Sequence, residues 1–207
     1  MLKFHRRAFL AAALILGSAA GALAQDAAVN TDDLYAPGEL GERALGEADA
    51  PVTIVEYASM SCPHCAAFHE TVFADLKTKY IDTGKVRFLF REFPHNNPGY
   101  PPAMIARCAP ESRFFEVVDA YFERQEEWLS SADIMQAIRG IAKEHGFTDQ
   151  SFDACTSNQA LFEALKEGRE RGAAFGVQGT PTFFINGKKL QDAPSLANIE
   201  KEIEALL

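Results

Sequence analysis

Two cysteines stand three residues apart in Cys62-Pro63-His64-Cys65. Thiols at that spacing can close a small disulfide ring or share a metal ion. A zinc site usually takes four ligands, and the chain holds no second Cys-x-x-Cys, with His69 an isolated candidate. Thiol–disulfide exchange is therefore the expected chemistry, and a structural zinc site is the alternative. Exchange needs a thiolate, because the thiolate is the nucleophile. Val52 to Ala58, apolar and β-branched, reads as a buried strand. Residues 62–80 have helical spacing, with Phe68, Val72, Phe73 and Leu76 on one side. The motif thus sits where a strand ends and a helix begins, and the free N–H groups and dipole there favour an anion. Cys62 is expected to be the exposed nucleophile. Cys65, one turn in, is expected to be the less accessible resolving thiol. His64 can donate a hydrogen bond toward the Cys62 sulfur, and Pro63 completes the motif.

Glu56 lies inside the apolar strand, on the face it shares with Ile54 and Ala58. A buried carboxylate has a raised pKa and can hold or relay a proton; the alternative is an edge glutamate pointing to water. Residues 85–93 alternate, with Val86, Phe88 and Phe90 on one face, and form a second strand. Two strands joined by a helix make a right-handed parallel βαβ unit. The stretch 94–102 is rich in turn residues and cannot continue the sheet. Helices are predicted over 103–109, 112–127, 131–145, 149–156 and 159–174. Ser131 is the expected cap of the third, with Asp133 in its first turn, and Gly146 its stop. His95 and His145 read as surface or cap residues; Trp128, Phe114, Phe115 and Phe122 read as packing core. The chain returns to sheet at 181–185, turns at Asn186-Gly187 and pairs again at 188–190, since Asn-Gly between apolar runs signals a hairpin. A last helix over 195–207 should turn Leu196, Ile199, Ile203 and Leu206 inward.

At the other end, Lys3, Arg6 and Arg7 precede an apolar run from Phe9 to Ala20, and Ala22-Leu23-Ala24 matches a small-residue cleavage site. Residues 1–24 read as a signal peptide, with an uncleaved anchor as the alternative. His5 to Leu10 resembles a twin-arginine (Tat) signal, and the Sec route stays open. Export to an oxidising periplasm permits stable disulfides. The segment 1–24 holds three of the 20 Lys and Arg and none of the 29 Asp and Glu. Its removal leaves 183 residues with a formal charge of −12. Such a chain is a poor partner for nucleic acid or anionic membranes. Sixteen Phe and 47% hydrophobic residues can fill one sizeable core. Residues 25–50, polar and acidic, read as a flexible lead-in with a short strand near 43–45. The expected units are 51–97, an inserted helical domain over 98–175, and 176–207.

A Cys-x-x-Cys after a strand in a βαβ unit is a thioredoxin-like signature. Four further features accompany it: Glu56 six residues upstream, the helical insertion, Gly179-Thr180-Pro181-Thr182 before the last hairpin, and Gly46 to Pro51 before the first strand. Together they make residues 44–207 resemble the bacterial DsbA-type thiol oxidoreductases. The resemblance implies an α/β thioredoxin-like fold with a helical domain inserted between the βαβ and ββα halves. It implies that Pro181 is cis and faces the active-site disulfide, leaving the Thr180 backbone free to pair with an extended substrate; an ordinary trans turn is the alternative. It places Glu56 beneath the disulfide, in reach of Cys65. A stabilised thiolate makes the disulfide an oxidant, a poise of which DsbA is the type example.

The expected protein is thus a periplasmic oxidase of dithiols in exported proteins, re-oxidised by a DsbB-type membrane partner, monomeric and without a cofactor or metal. Thr180 pulls toward the related isomerases, since the best-studied oxidases carry an aliphatic residue there. Those isomerases dimerise through a sizeable N-terminal domain that residues 25–50 cannot supply. Cys108 and Cys155, both in the insertion, are the remaining thiols and should pair, a bridge worth about 4 kcal/mol in the chain-entropy model; two buried free thiols are the alternative. A binding or chaperone module working through an apolar surface around Met60 and Val177 is a further reading.

Overall fold

The structure, a computed structural model, describes residues 29–207; the signal-peptide reading of 1–24 lies outside them. Five strands form one sheet in the order β1-β3-β2-β4-β5. They are β1 (Ala44–Leu45), β2 (Val52–Ala58), β3 (Val86–Glu92), β4 (Thr182–Ile185) and β5 (Lys188–Lys189). β2 runs parallel to β3 and antiparallel to β4. It is therefore central, which explains why its sequence is almost wholly apolar. One face carries Ile54 and Ala58 of β2 with Phe88 and Phe90 of β3, into the larger core. The other carries Val55, Tyr57, Leu89 and Phe184 into a smaller core with Leu34, Phe93 and Val177. The pleat thus sorts alternate residues of one strand between two layers.

Between β2 and β3 runs one helical stretch: α2 (Pro63–Phe68), a π-helical turn (His69–Phe73), α3 (Ala74–Leu76) and a second π-helical turn (Lys77–Ile81). Between β3 and β4 stand α4 (Tyr100–Cys108), α5 (Phe114–Glu123), α6 (Gln125–Leu129), α7 (Ile134–Glu144), α8 (Asp149–Thr156) and α9 (Gln159–Ala174). A disulfide joins Cys108 to Cys155. α10 (Leu196–Glu204) closes the chain. At the β4–β5 turn Asn186 and Gly187 both take positive φ, as a type I′ turn requires. Asn186 Oδ1 also accepts a 2.7 Å hydrogen bond from the Thr53 amide, tying the hairpin to β2.

Several expectations are corrected. The segment 29–50 is not a loose lead-in: α1 (Thr31–Tyr35) buries Leu34, 1% exposed, and Arg107 donates to the carbonyls of Leu40 and Gly41 while pairing with buried Glu92. The helix expected from 103 begins at Tyr100, because Pro101 and Pro102 fall in its first turn, where no N–H partner is needed. The helix expected over 112–127 breaks at Arg124, whose guanidinium pairs with Glu127 and Glu144. Asp133, not Ser131, caps α7, accepting from the Gln136 amide at 3.0 Å. Leu206 is 45% exposed and lies past the end of α10, whereas Ile199 and Ile203 are buried. Met60 and Val177 are both buried, so they offer no apolar docking surface.

Candidate active site

Cys62 is the N-cap residue of α2, with extended backbone and Pro63 directly behind it. Pro fits there because its missing N–H would have no helical partner. The loop before it is tightly held. The Cys62 amide donates to Ser59 O at 2.9 Å, the Ser59 and Ser61 hydroxyls lie 3.0 Å apart, and Ser61 Oγ donates to Asn96 Oδ1 at 2.7 Å. From the helical block, buried Gln125 donates to Met60 O at 2.7 Å and to Cys62 O at 3.0 Å. Gln125 thus docks α6 onto the motif. Nothing in the sequence marked this residue, because its partners are backbone carbonyls more than sixty residues away.

Thr180-Pro181 is a cis peptide on the far side of the sulfur. The Cys62 thiol donates to the Thr180 carbonyl at 3.1 Å. The Thr180 hydroxyl is buried and finds no hydrogen-bond partner among the described residues. Cys62 is only 5% exposed, so the nucleophile expected to stand in solvent is mostly covered; Cys65 is fully buried. His64 is exposed. Its side chain makes no hydrogen bond among the described residues, and it is the backbone N–H of His64 that favours the Cys62 thiolate.

The two thiols are pushed apart in acidity. The Cys62 pKa falls to about 5, chiefly because the Cys65 thiol hydrogen-bonds to its sulfur; burial opposes this, and Thr180 with the amides of Cys65 and His64 adds to it. Cys65 is held well above the usual thiol range, first by burial, then by its bond to Cys62 and by the Glu56 charge. One thiolate of low basicity beside one buried thiol is a nucleophile and resolving pair. Glu56 is wholly buried rather than facing water, and its charge acts on Cys65.

Glu56 Oε2 lies 3.0 Å from His69 Nε2. Burial lowers the His69 pKa, but the Glu56 charge and Asp119 outweigh it and raise it to about 9. His69, considered in the sequence only as an isolated metal ligand, therefore belongs to this site. Its spacing carried a usable signal, since it stands four residues after Cys65 and so on the same helix face. Among the described residues no group of three or more His, Cys, Asp or Glu is placed to hold a metal ion. The Cys108–Cys155 bridge sits apart, between α4 and α8.

Residues 39–205 match the family model described as thioredoxin. A Rickettsia typhi protein named as a candidate protein-disulfide oxidoreductase is 32% identical over 165 residues, 79% of this chain. The chain spans 61% of that relative's length. Disulfide bond formation protein D of Bacillus subtilis is 24% identical over 81% of this chain and 78% of its own. The crystal structure of Wolbachia pipientis alpha-DsbA1 matches with a TM-score of 0.77 at 28% identity, covering 86% of this chain and 96% of that one. With Cys-x-x-Cys at a helix start and a helical block after its βαβ half, the chain belongs to the thioredoxin family, among its DsbA-like members.

Proposed function

We propose that the chain is an exported thiol–disulfide oxidoreductase that passes a Cys62–Cys65 disulfide to dithiols of other exported proteins in the periplasm. The observation that carries the reading is the placement of the two thiols: Cys62 at the N-cap of α2, 3.1 Å from the carbonyl of the cis Thr180-Pro181 peptide, and Cys65 wholly buried one turn in. A substrate thiolate attacks Cys62 Sγ, the Cys62–Cys65 bond breaks, and its electron pair leaves on Cys65. The second substrate thiolate then attacks the substrate sulfur of the mixed disulfide and expels Cys62. Cys62 leaves readily because its thiolate is weakly basic. Thr180 and Pro181 form the wall beside which an extended substrate lies. The reduced enzyme is re-oxidised by a DsbB-type membrane partner, and the chain works as a monomer delivered by the signal peptide at 1–24 through Tat or Sec. No helix among the described residues is long and apolar enough to cross a membrane.

The test is oxidation of a reduced dithiol peptide. Cys62→Ser should abolish it, and Cys65→Ser, charged at Cys62 with oxidised glutathione, should pass to the peptide as a mixed disulfide that accumulates at Cys62 with release of reduced glutathione. Full activity in Cys62→Ser would sink the reading. Isomerase activity is the second reading, favoured by the Thr180 hydroxyl beside Cys62. A structure named protein-disulfide isomerase, from Novosphingobium aromaticivorans, is 27% identical with a TM-score of 0.70. Light scattering with a scrambled-ribonuclease assay separates the two: a monomer that reshuffles poorly supports the oxidase, a dimer that reshuffles well supports the isomerase.

A further inference from the structure

Cys65 is fully buried, so its proton has no direct exchange with water. Yet every turnover moves that proton. When a substrate thiolate breaks the Cys62–Cys65 bond, the electron pair departs on Cys65 Sγ. Burial and the Glu56 charge make that thiolate strongly basic, so it must take up a proton. In re-oxidation the Cys65 thiol gives the proton up, its thiolate attacks the mixed disulfide at Cys62, and the partner's thiolate leaves.

A line of titratable groups runs from this thiol outward. Glu56 on β2 is wholly buried, and its Oε2 is 3.0 Å from His69 Nε2. The His69 side chain is 4% exposed and stacks on Phe122 with ring centroids 4.3 Å apart, while Phe68, Phe73 and Phe90 pack around the rest of it. Its Nδ1 lies 3.7 Å from Oδ1 of Asp119 on α5, whose side chain is 44% exposed. Glu56 and Asp119 are the charged groups facing His69 from neighbouring elements, and Cys65 precedes it by one turn. His69 also opens the π-helical turn, a rare local widening that recurs at functional sites. Glu56 Oε1 and His69 Nδ1 are buried polar atoms without hydrogen-bond partners among the described residues. Unsatisfied atoms of this kind call for an explanation such as a catalytic role.

We propose that His69 and Asp119 carry the Cys65 proton onward between Glu56, the buried carboxylate expected of the family, and water, with His69 as the positioning residue that links that carboxylate to the surface. The proposal rests on the oxidoreductase reading above. The step to follow is collapse of the mixed disulfide between Cys62 and glutathione, made by mixing reduced protein with oxidised glutathione, because collapse requires Cys65 to lose its proton. Its rate is measured by quenched flow and mass spectrometry from pH 5 to 10 in the full chain, His69→Gln and Asp119→Asn. Gln keeps a donor toward Glu56 but cannot carry a proton. His69→Gln should slow collapse at least about tenfold at pH 7 and flatten its pH profile, and Asp119→Asn should slow it severalfold. A wild-type profile in folded His69→Gln overturns the proposal, and one in Asp119→Asn overturns the exit through α5. If His69→Gln does not fold, Asp119→Asn, at a partly exposed position, decides alone. A wild-type chain that forms no mixed disulfide would instead refute the oxidoreductase reading, and this proposal with it.

Discussion

Cys62 owes its low pKa to neighbours from three directions: the Cys65 thiol, Thr180 and the first amides of α2. Alkylation of the reduced protein across pH should therefore give a midpoint near 5 for Cys62, while Cys65 stays unreactive below pH 9. A midpoint near the free-cysteine value of about 8.5 would show that these contacts do not act on the sulfur. Residue types and spacing exposed much of this site. Cys62, Pro63, His64 and Cys65 were marked by local pattern, and Glu56, Thr180 and Pro181 by the resemblance; in the structure Thr180 lies against the Cys62 sulfur and Glu56 acts on Cys65. The share given to His64 was misplaced, because a sequence shows a side chain but not which backbone N–H faces a sulfur. Gln125 and the role of His69 escaped because each depends on a partner on another element.

The elements hold the site through a few close contacts. α9 lies against the smaller core at Gly172, where an added Cβ would stand 2.7 Å from Tyr57 Cε1 and 3.1 Å from Phe93 Cδ2. Gly172→Ala should destabilise the protein by about 1–3 kcal/mol, read as a lower urea midpoint with unchanged slope; an unchanged midpoint would mean α9 yields freely. Gln125→Ala should cost about 1–3 kcal/mol, since it leaves the buried Met60 carbonyl without its donor, and should also slow dithiol oxidation by loosening the loop before Cys62. Loss of stability with full activity would confine Gln125 to packing. Most helices and strands were legible from period alone, though not the short α1, and the Asn186-Gly187 hairpin from two residues. Boundaries were less so. Pro101 and Pro102 read as breakers yet start α4, and Arg124, where the long helix splits, pairs with Glu144 twenty residues along the chain, outside any local window.

Across the whole molecule, thiol acidity is coupled to folding. In the reduced protein Cys62 has a depressed pKa, so its contribution to stability is fully present above the unfolded thiol pKa and is lost as pH falls through about 5. Cys65, with its pKa raised, contributes below the unfolded value and loses that only as pH rises beyond it. The reduced form should therefore melt above the oxidised form, by a margin that grows from pH 5 to pH 8; a margin that shrinks over that range would reverse the assignment of the thiolate. The same energy sets the redox poise, which is the central claim. Cys62 near 5 is about two units below the thioredoxin nucleophile at about 7, and each unit is worth about 30 mV against a thioredoxin potential of about −270 mV. The most direct test is the equilibrium of the Cys62–Cys65 pair with a glutathione buffer of known ratio. A potential of about −210 mV or less negative is expected, and a value nearer to about −270 mV would contradict the assignment as an oxidant.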